Sequence, residues 1–443
     1  MFGFSMIQLV RANANKLDLT LRQNLIGLYR PFQWTPCFLH SSLEKLLKIM
    51  KTYSVVVEFK KECSYSAAIQ DCHSIATKHL RTRVKRGYPR ISCCSMDLSP
   101  AAIEDLLSSC SSIQKIYFDR KVQALLDVAV PSIEAEQVER RDTVLTGKDV
   151  TIAVIDTGIY PHQDLQNRII AFKDFVNDRL EPYDDNGHGT HCAGDAAGDG
   201  AASGGKYKGP APEANVVGVK VLDKLGAGSL STVMAGVEWC MEYNELNPDR
   251  KINIISMSLG SEPQRFRNES DDPMVKAVEA AWNNGIVVCV AAGNAGPDPE
   301  TIASPGISQQ VITVGAMDDL NSPNQDDDTI ATFSSRGPTI YGKQKPDVVA
   351  PGVDIISLRS PNSYLDKLQK ANRVGTDYFS LSGTSMATPI SAGVTALIIE
   401  SNPNYTPQEV KERLLQGAEP WGDTYTYGHG YVNAEKAIPR QPE

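Results

Sequence analysis

The chain has 443 residues, 41% of them hydrophobic and 22% charged, enough apolar sequence for at least one large core and room for two or three domains. No apolar run approaches the roughly 18 residues of a membrane span, which excludes a helical membrane protein. Residues 1–10 place no basic residue before their apolar ones and no small-residue cleavage pattern follows, so no export signal is read. The nine cysteines, odd in number and without metal-type spacing, are read as free thiols of a cytoplasmic protein. Charge is uneven: residues 1–130 hold 18 Lys+Arg against 10 Asp+Glu, net +8, and the rest hold 26 against 43, net −17. That asymmetry suits either a nucleic-acid-binding arm or two parts of one chain that attract each other.

Residues 1–50 form an N-terminal extension with a short amphipathic helix at 43–50 and a loop at 31–36 containing Trp34; no function is assigned to it. From residue 53 the pattern sharpens into a strand (53–59), a helix (65–78), an extended stretch (91–98) after a turn at Gly87-Tyr88-Pro89, a helix and a strand (113–118). Ser99 suits the N-cap of that second helix and Pro100 its first position. Strand, helix, two strands, helix, strand within residues 51–125 predicts a small ferredoxin-like α+β domain. Its hairpin carries Arg81, Arg83, Lys85, Arg86 and Arg90, a cluster that RNA would suit, yet no aromatic stacking motif accompanies it. A solvated hairpin is the preferred reading.

After a connecting tail at 125–148 the character changes. Val150 to Ile155 is a continuous apolar run ending in Asp156-Thr157-Gly158, the signature of a buried parallel strand whose C-terminal end places function. Asp184-Asp185-Asn186-Gly187-His188-Gly189-Thr190-His191-Cys192-Ala193-Gly194 follows, with two histidines three apart on one helical face. Strands are predicted at 215–221, 252–256 and 285–290, the last running into Ala291-Ala292-Gly293-Asn294, with a helix at 231–242 between. This alternation predicts an α/β fold with a doubly wound, mostly parallel sheet flanked by helices. Near the end, Leu381-Ser382-Gly383-Thr384-Ser385-Met386-Ala387-Thr388-Pro389 precedes an apolar helix, so that the Ser385 hydroxyl opens at a helix start where unpaired N–H groups point outward. Alone, that serine also reads as an ordinary cap. Thr406-Pro407-Gln408-Glu409 is a capping box that starts a final helix.

Acyl transfer from a peptide needs a nucleophile, a base, a group that orients the base and a donor for the oxyanion. Serine, histidine, aspartate and asparagine suit those four tasks, and the order Asp, His, Ser is that of subtilisin. The Asp-Thr-Gly after an apolar strand, the Asn-Gly-His-Gly-Thr-His-x-Ala-Gly block and the Gly-Thr-Ser-Met-Ala-x-Pro block all resemble the subtilisin-like serine proteases, over about residues 130–440. With no export signal read, the intracellular Bacillus-type members are the nearest resemblance.

The resemblance implies Ser385 as nucleophile, His188 as general base and acid, Asp156 as its orienting partner, and Asn294 with the Ser385 N–H as the oxyanion site. His191 is the alternative base; in the family pattern the first histidine acts and the second supports. It implies substrate-binding strands at Gly226-Ala227-Gly228 and Ser258-Leu259-Gly260, Leu230 lining a pocket four residues before the cut, and Ala303 at the floor of the primary pocket, with cleavage after large apolar residues. Residues 51–125 resemble the family's pro-domain, ahead of a peptidase domain at 126–443, with autocleavage expected at about 120–135. The expected partners are polypeptide substrates and the chain's own pro-domain, with neither nucleic acid nor membrane, and no cofactor is expected for the chemistry. A structural calcium is an expectation at Asp164, with Asp199 a contributor; the run Asp326-Asp327-Asp328 is read as a solvated turn. Met386 abuts the nucleophile, and Cys192 is read as a small buried residue rather than a second nucleophile.

Overall fold

The computed structural model describes residues 5–28, 40–119, 121–124, 132–140, 142–320, 325 and 328–440. The Trp34 loop, Asp326, Asp327 and much of the 120–135 tail lie outside the described residues. The chain divides into two units, Met1–Arg120 and Lys121–Glu443.

The first unit begins with α1 (Ser5–Ala12), α2 (Leu19–Gly27) and α3 (His40–Met50), followed by β1 (Tyr53–Phe59), α4 (Tyr65–Lys78), β2 (Arg83–Tyr88), β3 (Cys93–Leu98), α5 (Pro100–Ser109) and β4 (Ile113–Phe118). The sheet order is β2-β3-β1-β4, with antiparallel neighbours. The predicted stretch at 91–98 enters its strand later, because residues 89–91 form a 3₁₀ turn and Ser92 takes a left-handed conformation (φ 50). Ser99 caps α5 by accepting the Ala102 N–H at 3.2 Å, with Pro100 in the first turn. The helices of the extension are not a separate segment. Met6, Val10, Leu17, Leu21 and Leu25 share one core with Val55, Val57, Ile103 and Leu106, Leu17 bridges Ile116 of β4 in parallel, and Lys48 of α3 pairs with Glu104 of α5 at 2.6 Å. An edge strand left open invites pairing with other chains; here the Leu17 segment covers it. In the basic hairpin Arg83 and Lys85 share Asp97, at 2.9 and 2.8 Å.

The second unit opens with β5 (Lys121–Ala124) and a short hairpin of β6 (Glu139–Arg140) and β7 (Thr143–Val144). Then come β8 (Thr151–Asp156), β9 (Ile169–Asp174), α6 (His188–Ala197), β10 (Asn215–Lys220), β11 (Ala227–Ser229), α7 (Leu230–Leu246), β12 (Ile254–Met257), β13 (Leu259–Gly260), α8 (Pro273–Asn283) and β14 (Val287–Ala291). The chain continues through β15 (Ile312–Asp318), β16 (Thr329–Ile330), β17 (Val348–Pro351), β18 (Ile355–Leu358), α9 (Tyr364–Leu368), β19 (Arg373–Val374), β20 (Tyr378–Leu381), α10 (Thr384–Ser401) and α11 (Pro407–Gly417). An eight-stranded sheet runs β16-β15-β14-β12-β8-β10-β9, with β17 beside β15; only the β15–β16 pair is antiparallel. The apolar β8 is buried at every residue, as a strand covered on both faces must be. The chain leaves β8 toward β9 and β10 on one side and β12 and β14 on the other, so the carboxyl end of β8 is the switch point where such sheets hold ligands.

Helix α10 is the central element. Every residue from Thr384 to Ile399 is buried, and a helix apolar all round belongs inside a core. Its capping-box successor α11 has Thr406 and Glu409 exchanging bonds as the sequence predicts. No helix among the described residues is long and apolar enough to cross a membrane. The eight cysteines among them are all free thiols.

Candidate active site

Asp156 ends β8 and His188 begins α6, and both side chains are fully buried. His188 Nδ1 lies 2.8 Å from Asp156 Oδ1, which also accepts the Thr157 N–H at 2.7 Å. Burial by itself disfavours the imidazolium, but the Asp156 carboxylate outweighs it, and the net effect raises the His188 pKa well above the ordinary value.

Asp184 sets the entry into α6. Its Oδ1 accepts the Gly187 N–H and the Thr157 hydroxyl, and its Oδ2 the N–H and hydroxyl of Thr190. Thr157 Oγ1 in turn accepts the Gly189 N–H at 2.9 Å, so the Asp156 loop and the His188 helix are stitched directly. Gly189 is required by the closeness of this contact: a Cβ there would stand 2.2 Å from Gly158 O and 3.1 Å from Asp156 Cβ.

Ser385 sits in the first turn of α10. Pro389, four residues on, has no N–H to give to the Ser385 carbonyl. That carbonyl instead accepts Ser258 Oγ at 2.5 Å and the Cys192 thiol at 3.6 Å. Ser385 Oγ rests on Ser258 O at 3.3 Å, longer than a good hydroxyl bond and easily left. Asn294, just beyond β14, is fixed by its carbonyl oxygen, which accepts the Thr384 N–H and the Thr384 hydroxyl, both at 3.0 Å. With Oδ1 held by Thr384, the residue before Ser385, the amide nitrogen is left as the donor end of the side chain. Sequence reasoning missed Thr384 and Ser258 as partners; the proline at i+4 was the available signal for the freed carbonyl.

The second histidine is placed elsewhere. His191 Nδ1 is 3.0 Å from Asp195 and its Nε2 3.0 Å from Phe379 O, all buried, so it ties α6 to β20. Cys192 lies 3.8 Å from His188 Nδ1; burial pushes its thiol up to about 12, and it stays a neutral donor. Asp156, His188 and Cys192 bring ligand-type atoms within 4.8 Å of one another, but His188 Nδ1 and Asp156 Oδ1 are already engaged with each other at 2.8 Å.

Asp164 is also buried. Its Oδ1 accepts the Ala202 N–H and its Oδ2 the Tyr378 hydroxyl, at 2.8 and 2.7 Å. Arg168 donates to the Asp164 carbonyl and lies 3.8 Å from Asp199. A guanidinium already supplies positive charge here, so the donor set does not fit the calcium expected from the sequence.

The two expected substrate strands are β11 and β13, and β5 runs antiparallel between them. Gln123 lies opposite both Ala227 and Gly260, Val122 opposite Gly228, and Ala124 opposite Leu259. Gly226 precedes this strand at φ 75. Ala303 has its Cβ 3.1 Å from where a side chain on either Gly260 or Gly293 would begin, which groups it with the β13 strand and the Asn294 loop. Leu230, the first residue of α7, is fully buried.

Comparison with known proteins gives the family. The model of the subtilase family matches residues 147–430. Serine protease AprX of Bacillus subtilis is 58% identical over the whole of both chains. Subtilisin DY of Bacillus licheniformis is 34% identical over 70% of this chain and 97% of its own. The crystal structure of fervidolysin from Fervidobacterium pennivorans, a keratinolytic enzyme related to subtilisin, gives a TM-score of 0.66 at 21% identity. It covers 88% of this chain and 61% of that one, and at that identity it speaks for the fold alone. With a family model matched over most of the chain and a full-length relative at this identity, the chain belongs to the subtilase family of serine proteases.

Proposed function

We propose that the chain is an endopeptidase that cuts through an acyl-enzyme on Ser385. Ser385 Oγ attacks the scissile carbonyl and gives its proton to His188 Nε2; Asp156 holds the Nδ1–H tautomer and balances the imidazolium. Asn294 Nδ2 and the Ser385 N–H take the oxyanion, and His188 returns the proton to the leaving amine before water releases the acyl group. The observation that carries this reading is the buried His188–Asp156 contact of 2.8 Å, at a helix start laced to the Asp156 loop and packed against the helix that carries Ser385.

The substrate is an extended peptide. The pairing of β5 on both sides supports binding by strand addition, where main-chain bonds give affinity and side-chain pockets give selectivity. Leu230 and the small, uncharged Ala303 support apolar pockets and a preference for cleavage after residues such as Phe, Leu, Tyr or Met. We read residues 51–125, together with the helices before them, as a pro-domain. Its basic balance against an acidic remainder supports electrostatic steering between the two. Because β5 follows that unit directly and occupies the strand position of a substrate, the chain's own tail is the first peptide presented, with cleavage at about 120–135. The free thiols suit a reducing, cytoplasmic compartment.

The test is incubation of the wild type and Ser385→Ala with fluorogenic peptides differing in the residue before the cut, with the products also run on a gel. The expected result is hydrolysis of the apolar peptides and loss of roughly the first 120–135 residues in the wild type alone. Equal hydrolysis by Ser385→Ala would remove the mechanism; hydrolysis without trimming would remove only the pro-domain scheme.

A further inference from the structure

Lys220 is the last residue of β10, in register with Asp156 on β8 and Asp174 on β9. Its side chain is fully buried. The ammonium donates to Thr157 O at 2.5 Å, Asp185 Oδ1 at 2.7 Å and Leu222 O at 2.9 Å, which uses all three of its protons. Tyr183 presents its ring 5.2 Å away.

The three acceptors lie on three different working segments. Thr157 follows the carboxylate that orients the base, Asp185 stands three residues before His188, and Leu222 leads into the β11 substrate strand. A buried cation is costly unless paired and fully bonded, so its retention at this junction points to a task. We propose that Lys220 is a positioning residue that locks the Asp156 loop, the His188 loop and the substrate strand together and sets the field at the His188–Asp156 pair, with Asp185 as its counter-charge. This rests on the reading of His188 as the base.

The charged and titratable groups around His188 are Asp156 on β8 and, on α6, His191 and Cys192 one turn on and Asp195 two turns on. Around Lys220 they are Asp185, Asp174 and Tyr183. Against that background the two partners act with opposite sign. Removing the lysine charge relieves repulsion of the imidazolium and leaves Asp185 uncompensated, which favours the protonated base. Removing the aspartate charge does the reverse.

The test is the pH profile of kcat/KM on an apolar fluorogenic peptide for wild type, Lys220→Met, Lys220→Arg and Asp185→Asn, with Ser385→Ala alongside. The acid limb should move up by about half a pH unit or more in Lys220→Met, move down in Asp185→Asn and return toward wild type in Lys220→Arg. Lys220→Met should also lose about 10-fold or more in kcat/KM, because three segments lose a common anchor. If Lys220→Met does not fold, Asp185→Asn and Lys220→Arg decide the matter. Acid limbs that stay in place in active variants overturn the proposal for Lys220. Activity surviving in Ser385→Ala would instead overturn the reading of the site on which it rests.

Discussion

Lys345 offers a quantitative check on the second unit. It is fully buried, donating to Val311 O at 2.9 Å and to Asp347 at 2.5 Å, while Lys411 donates to the same Val311 O at 2.8 Å and to Asp347 at 3.0 Å. Burial pushes the Lys345 pKa down to about 7, with Asp347 opposing and Lys411 adding to the fall. In the unfolded chain it returns to the ordinary lysine value, about 10.4. Between those values the unfolded state binds more protons, so this group's contribution to stability rises with pH across that window and levels off below 7. From pH 6 to 8.5 the gain is about 2 kcal/mol. His188 runs the other way: its raised pKa contributes stability that is present below about 6.5 and lost as pH rises through the folded value. The net slope of the wild type therefore decides nothing, and the informative quantity is its difference from Lys345→Met. Met keeps the volume, and Val311 O and Asp347 retain the Lys411 and Thr313 donors. Urea unfolding at pH 6 and 8.5, on a Ser385→Ala background to prevent self-digestion, should show the chain with Lys345 gaining about 2 kcal/mol relative to the variant. Parallel pH dependence in the two would rule out a depressed Lys345 pKa in the folded chain.

Three further outcomes follow from the site. Asn294→Ala should lower kcat with little change in KM, by about 10²–10³, the loss known for removal of the oxyanion-site asparagine of a subtilisin. Gly189→Ala forces a Cβ to within 2.2 Å of Gly158 O; displacing the Asp156–His188 pair should cost about 10²-fold in kcat, with circular dichroism unchanged, and full activity would show that the stitching is slack. Asp164→Ala leaves the Tyr378 hydroxyl and Ala202 N–H without their acceptor and should cost about 1–3 kcal/mol in urea unfolding. The cost should be equal with calcium and with chelator, whereas a loss seen only with calcium would restore the metal reading.

What was legible in the sequence divides along physical lines. Asp156, His188 and Ser385 stand in blocks whose residue types are constrained by the site: a glycine at 189 because no Cβ fits, a threonine at 157 because its hydroxyl joins two loops. Strand β1 and helix α4 were also legible, with bounds as predicted, because apolar runs and caps are local signals. The extension was not. Leu21, Leu25 and Leu28 of its second helix segment make a stripe whose partners, Ile103, Leu106 and Ile116, lie 75 to 95 residues away. Asp164 was read toward a cation because a carboxylate suits metal and hydrogen-bond donor alike, and the deciding hydroxyl, on Tyr378, is 214 residues distant. Lys220 reads as a solvated strand end until its three acceptors, from three loops, are seen together.

The proposed mechanism stands on Ser385 as the nucleophile. A fluorophosphonate reagent reacts with a serine activated in this way, and mass spectrometry of the digested adduct locates the modified residue. One label is expected, on Ser385, with activity lost in step with labelling and neither label nor activity in Ser385→Ala. A label on another residue that tracks the loss of activity, or peptide hydrolysis that persists after Ser385 is fully modified, would rule out Ser385 as the nucleophile.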